Sequence, residues 1–268
     1  MTLQYRGLPL SANVSILFAE MPYAQRFTAA RAAGFTAVET WWPFGEPDPD
    51  EEKVDEFLAL LDVNGVRLTG LNFWAGDMAA GDRGMVSHPD RHDELRANIA
   101  RVAMIGERTG CAKFNLLHGA IPPQERSEDR HRAIVDVYRE AVDAVSGAGK
   151  VLVEPLAREL NGDYPLETAQ DAASLVADID RGSNAALLFD TFHLGHNEDD
   201  LIVLARQHGP VTGHVQIADD PGRAEPSSGA LPLAECVDTL AAAGYDDWIG
   251  VEYRASTSHS EDSLGWVD

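Results

Sequence analysis

The chain has 268 residues, 44% hydrophobic and 24% charged, the ordinary mix of a soluble globular protein able to bury a real core. Its formal net charge of −23 repels polyphosphate and no Lys/Arg cluster overrides that field, which excludes nucleic acid and anionic membrane as expected partners and favours a small-molecule substrate. No stretch nears the roughly 18 apolar residues of a membrane span, the amino terminus has no continuous apolar signal core, and Cys111 and Cys236 form no CxxC pair, so a cytoplasmic, reducing setting is expected.

In chain order, short β-branched and aromatic runs predict strands over 12–17, 37–42, 67–74, 112–118, 151–155, 185–192, 211–218 and 248–253. Between them, amphipathic stretches predict helices near 22–33, 50–64, 90–109, 128–147, 168–180, 198–208 and 232–243, leaving only 259–268 for an eighth. Gly34, Gly65, Gly110, Gly149 and Gly244 each separate a helical stretch from the next strand, where a helix ends in a left-handed residue. Helix, glycine, strand, repeated, is the pattern of βα units on a parallel sheet. Eight units in this length predict an α/β protein, a (β/α)8 TIM barrel forming a single domain over 1–268. The rival, an open doubly wound sheet, normally carries a glycine-rich phosphate turn after its first strand, and "SILFAEMPYAQ" contains no glycine.

In such barrels the chemistry lies where strands end and βα loops begin. "VLVEPL" ends an apolar run on Glu154, a carboxylate that is costly to bury without a partner. The same oddity recurs at Asp190 in "FDTFH", Gln216 in "HVQIAD" and Glu252 in "GVEYR", each about one βα unit further on. Alone, each carboxylate at a strand end is more often a helix cap or a loop ion pair, and Gln216 a surface amide. Together they point into one opening, where three carboxylates raise one another's pKa unless a cation neutralises them. Hard oxygen donors suit Mg²⁺ or Mn²⁺ better than Zn²⁺.

Other residues gather at the same end. His193, three after Asp190, is expected to touch substrate, whereas His214, two before Gln216 on one strand, reads as a satisfied core histidine. Arg223, alone among acidic residues in "DDPGRAEP", is expected to hold a substrate carboxylate bidentately. Arg83 lies in "AGDMAAGDRGM", a glycine-rich loop expected to close over substrate. Trp41 and Trp42 are expected to form an apolar wall, and Glu39 receives no role.

"NVSILFAEMPYAQ", "AGDMAAGDRGM", "LVEPL", "FDTFH", "DDPGRAEP", "GYDDWIGVEYR" and "SLGWV", in that order and spacing, resemble the hydroxypyruvate isomerase family. That family belongs to the xylose isomerase-like barrels, with sugar epimerases and apurinic endonucleases as relatives. The resemblance implies a divalent metal on Glu154, Asp190, Gln216 and Glu252, with Glu154 and Glu252 exchanging the proton and with His193 and Arg223 near the substrate. The implied reaction is an aldose–ketose type isomerisation of a small hydroxylated keto acid, hydroxypyruvate to tartronate semialdehyde, through an enediolate. A 2-oxo-tetronate isomerase or a sugar epimerase on the same barrel is the alternative. An apurinic-type nuclease would need a His-rich zinc cluster and a basic face, and a non-catalytic accessory barrel would show no metal-dependent turnover. Three positions depart from the family pattern: Ala230 stands at a usual glutamate, Leu233 at a usual tyrosine and His118 at a usual small residue. The sequence leaves room for a homo-oligomer.

Overall fold

The structure, a computed structural model, describes residues 2–197 and 200–267. The first two residues of the helix expected over 198–208 therefore lie outside the described residues. A two-residue strand β1 (Gln4–Tyr5) pairs antiparallel with β2 (Leu8–Asn13). The chain then runs through β3 (Ala37–Thr40), β4 (Arg67–Asn72), β5 (Lys113–Asn115), β6 (Lys150–Val153), β7 (Ala185–Asp190), β8 (Thr212–Ile217) and β9 (Ile249–Val251). Strands β2 to β9 pair in sequence order, all parallel, and β9 returns to β2, closing the eight-stranded barrel that the sequence predicts.

Around it lie α1 (Tyr23–Ala32), α2 (Glu51–Asn64), α3 (His92–Thr109), α4 (Glu128–Val145), α5 (Ala169–Ile179), α6 (Thr191–Asn197), α7 (Leu201–His208) and α8 (Leu233–Ala242). Helix α4 shows why these segments take their places. The Ser127 side chain accepts from the Arg130 N–H, closing the first turn. Ile134, Tyr138, Ala141, Val142 and Val145 then recur at three- and four-residue steps and are buried against the sheet. Among the described residues no helix is long and apolar enough to cross a membrane.

The main apolar core lies between strands and helices, while in the barrel interior Leu152, Ala186 and Leu188 form a small separate apolar cluster. The rest of the interior is polar. Ser11, Asn13, Glu39, Lys113, Asn115 and His214 are all buried there, and buried polar groups are tolerable only when hydrogen-bonded.

The structure corrects four expectations of detail. The first strand lies at 8–13 rather than 12–17, because Val14, Leu17 and Phe18 bury their side chains from a turn. Asn13 organises that turn: its carbonyl accepts from the Ile16 and Leu17 N–H groups and its side-chain oxygen from Ser15 N–H. Apolar content alone does not separate a strand from a buried turn. The strand expected to reach residue 192 ends at Asp190, and α6 begins at once. Gly34, Gly65, Gly110 and Gly244 do have positive φ, but Gly149 does not. A Cβ on Gly149 would stand 2.1 Å from the Ala112 carbonyl oxygen, so close backbone approach requires that glycine. The carboxyl-terminal segment forms a short 3-10 turn, Ser260–Ser263, rather than an eighth barrel helix.

Candidate active site

Glu154 directly follows β6, Asp190 and Gln216 lie on β7 and β8 as a registered pair, and Glu252 directly follows β9. All four are buried at the carboxyl-terminal end of the barrel. A cavity of about 470 Å³ is lined by Glu154 and Glu252, with His193, Arg83, Arg223 and Trp41 among others, while Asp190 and Gln216 are not part of its lining. The glycine-rich loop carrying Arg83 is tied down. Arg83 Nε donates to Asn161 Oδ1 at 2.8 Å and Nη1 to the Asp82 carbonyl at 2.7 Å, while its carbonyl accepts from Gly119 N–H.

Asp190 combines two roles that separately look like alternatives. Its Oδ1 caps α6 by accepting from the Phe192 and His193 N–H groups, at 2.8 and 3.1 Å. Its Oδ2 accepts from Arg223 Nη2 at 2.8 Å. The same Nη2 donates to Glu252 Oε1 at 2.8 Å, and Arg223 Nε donates to the Glu252 carbonyl. Arg223 thus bridges two of the carboxylates. Its residue has φ +56, in the left-handed region that costs a side-chain-bearing residue energy, and follows Gly222 at φ +95. The Phe192 ring lies under its guanidinium at 5.4 Å.

Glu154 Oε2 accepts from Asn115 Nδ2 at 2.7 Å, and Oε1 faces His193 Nε2 at 3.8 Å. Burial, then the charges of Glu252 and Asp190, push the Glu154 carboxyl well above the ordinary carboxylate range. Burial likewise raises Glu252 to about 8, against the opposing pull of Arg223. Among the described residues, ligand atoms of Glu154, Asp190 and His193 lie within 4.8 Å of one another and could gather around one cation. His193 Nδ1, however, accepts from Ala157 N–H at 3.0 Å, and burial pushes the imidazole down to about 3. A neutral ring accepting at Nδ1 carries its proton on Nε2, so His193 presents a donor to the cavity.

The raised Glu252 pKa has a testable consequence. A carboxyl holding its proton more tightly folded than unfolded contributes stability that is full below its unfolded value of about 4.5 and is lost as pH rises through about 8. The metal-free protein is therefore expected to melt progressively lower between about pH 5 and pH 8, and Mn²⁺ to flatten that slope. Thermal melts across this range with and without Mn²⁺ check it, and identical slopes would contradict it.

Three residues outside the expected set also shape the site. Trp41 Nε1 donates to Glu252 Oε1 at 3.1 Å, so it does more than form an apolar wall, whereas Trp42 meets Phe44 edge to face and donates to the Glu46 carbonyl. Asn115 carries no strand-end signal in the sequence, because it lies inside the strand expected over 112–118, and its bond to Glu154 joins residues 39 apart. Glu39 does interrupt an apolar run, in "AVETW", but the sequence alone assigns it no role. His214 is the buried, hydrogen-bonded core histidine expected. His118 is buried between Tyr138 and Tyr164, and burial lowers it to about 4. Ala230 and Leu233 are not among the described residues lining the cavity; Leu233 is buried at the start of α8.

Comparison with known proteins bears on this site. Residues 27–268 match the family described as xylose isomerase-like TIM barrel. Over 266 residues the chain is 40% identical to a Streptomyces coelicolor protein provisionally named hydroxypyruvate isomerase, covering 96% of this chain and 94% of that one. It is 33% identical over 262 residues to a 2-oxo-tetronate isomerase of Cupriavidus necator, covering 96% of both. A solved structure titled AP endonuclease, family 2, from Brucella melitensis superposes with a TM-score of 0.87 at 29% identity, covering 96% of each chain.

Proposed function

The chain belongs to the xylose isomerase-like TIM barrels, and within them to the hydroxypyruvate isomerase family, and on that premise we propose that it converts hydroxypyruvate to tartronate semialdehyde with Mg²⁺ or Mn²⁺ bound. The observation that carries the metal is the donor set. Glu154, Asp190 and Glu252 are buried together with one guanidinium among them, and Gln216 Oε1 is buried with no hydrogen-bond donor among the described residues. Oxygen donors short of positive charge suit a hard dication, and Glu154, Asp190, Gln216 and Glu252 would hold it. When bound, the ion supplies positive charge for the substrate's two adjacent oxygens as negative charge develops on them.

The protein's own groups carry out the rest. One glutamate of the pair takes the proton from the hydroxymethyl carbon of the substrate. The other delivers a proton to the neighbouring carbon, while the hydroxyl proton moves from one oxygen to the other, so composition is unchanged. Glu154 and Glu252 suit these roles because they approach the opening from strands separated by β7 and β8. Their shared burial and repulsion favour a retained proton, leaving one carboxyl able to give and one able to take. His193 Nε2 donates to a substrate oxygen. Arg223 orients the two carboxylates and offers Nη1 to the substrate's own carboxylate, and Arg83 closes the far side of the cavity.

The cavity volume favours a second reading. About 470 Å³ lies within the ~300–1,000 Å³ that holds ligands much larger than a three-carbon acid. A four-carbon 2-oxo-tetronate is therefore the alternative substrate. Coupled assays over three- to six-carbon keto acids and ketoses, with Mn²⁺ or with chelator, separate the two. Metal-dependent turnover of hydroxypyruvate above all others is the expected result. Turnover of none, or turnover untouched by chelator, would contradict the reading.

A further inference from the structure

Glu39 takes no part in the chemistry above, yet the barrel is built around it. It is buried in the interior on β3, 2% exposed. Two strands give up side chains to admit it, β4 beside it and β9 beyond β2: a Cβ on Gly250 would lie 2.4 Å from Glu39 Oε1, and one on Gly70 would lie 3.2 Å from Glu39 Cβ. Three donors converge on its carboxylate. Gln216 Nε2 donates to Oε1 at 2.7 Å, Asn13 Nδ2 to Oε1 at 3.1 Å, and His214 Nε2 to Oε2 at 2.6 Å. Behind His214, Nδ1 faces Lys113 Nζ at 3.3 Å, and Lys113 pairs with Asp247 at 2.9 Å. An ammonium only donates, so His214 must accept at Nδ1 and donate at Nε2. From Lys113 through His214 the donated protons run toward Glu39.

A carboxylate serving as acceptor fixes which end of the Gln216 amide faces it. The NH₂ is held on Glu39, so Oε1 is turned away, and that oxygen is the one left without a donor. Were the amide free to flip, it would present N–H groups where a cation needs an oxygen. We propose that Glu39 is a positioning residue, locking the Gln216 side chain with its oxygen toward the carboxylate opening as a cation ligand. This rests on the metal-dependent reading of the site. It extends to an amide ligand the rule that outer-shell partners orient metal ligands.

Glu39→Gln tests it. A glutamine at 39 has one oxygen for three converging donors, and its NH₂ must face His214 or Gln216, so the lock fails without loss of side-chain volume. The measurement is Mn²⁺ affinity by electron paramagnetic resonance, with folding checked by circular dichroism. Affinity is expected to fall about 10–100-fold. In a Gln216→Ala background the same change at 39 is expected to have little further effect, because Glu39 acts through Gln216. Should Glu39→Gln not fold, Glu39→Asp keeps the charge and withdraws the acceptor by one methylene, with the same weakening expected. A folded variant that binds Mn²⁺ like wild type, or an equal loss with and without Gln216, overturns the proposal. Wild type that binds no Mn²⁺ would remove the metal-dependent reading as well, which neither variant result does.

Discussion

Replacing Glu154 or Glu252 with glutamine is expected to lower turnover by about 10²–10⁴-fold while Mn²⁺ binding survives in weakened form. Glutamine keeps the volume and one ligand oxygen but has no useful proton affinity. Neither Asp190 nor Gln216 can substitute: Asp190 is one methylene shorter and is held in place by the α6 N–H groups and Arg223, and an amide is no base. The surroundings of the two glutamates differ. Glu154 meets Asn115 and His193, whereas Glu252 meets Arg223 and Trp41. The variants need not fail equally, and pre-steady-state kinetics separate loss of proton abstraction from loss of proton return. A pair of variants retaining wild-type turnover would show that the base lies elsewhere.

Arg223→Met is expected to destabilise the metal-free protein by about 3–5 kcal/mol, the cost of removing one partner from a buried charge pair. The side chain is 15% exposed and its partners Asp190 and Glu252 are 1% and 5% exposed, so solvent screens these contacts little. Without the guanidinium the carboxylates gain relief by taking up protons, so the loss is expected to be larger at about pH 8 than at about pH 6. Mn²⁺ is expected to restore part of it. Urea denaturation at both pH values, with and without Mn²⁺, measures all three effects. A variant as stable as wild type at the higher pH would mean that Arg223 serves substrate alone.

How far the sequence disclosed this site depended on the range of each interaction. Strand-end carboxylates announced themselves because each breaks an apolar run locally, and four glycine caps were visible from the helix before them. The Arg223 bridge was not, since its partners lie 33 and 29 residues away, on other strands. The resemblance brought Arg223 to the substrate without showing its bond to the carboxylates. Glu39 was opaque for the same reason, compounded. Its Gln216 and His214 partners come from the other half of the barrel, and the space it fills is created by glycines on β4 and β9. Nothing local marks a glycine as making room for a carboxylate. Substrate size belongs to the same class of question. Ala230 and Leu233 depart from the family pattern, but neither residue lines the cavity.

The most direct test of proton transfer at these strand ends is to run the isomerisation in D₂O and examine the product carbon that gains hydrogen. On the two-glutamate route one carboxyl takes the proton and a different one returns it, so that carbon is expected to acquire solvent deuterium in nearly every turnover. Transfer of the substrate's own hydrogen between the two carbons, with no deuterium entering product or recovered substrate at any stage, would contradict the two-glutamate route and favour a hydride shift.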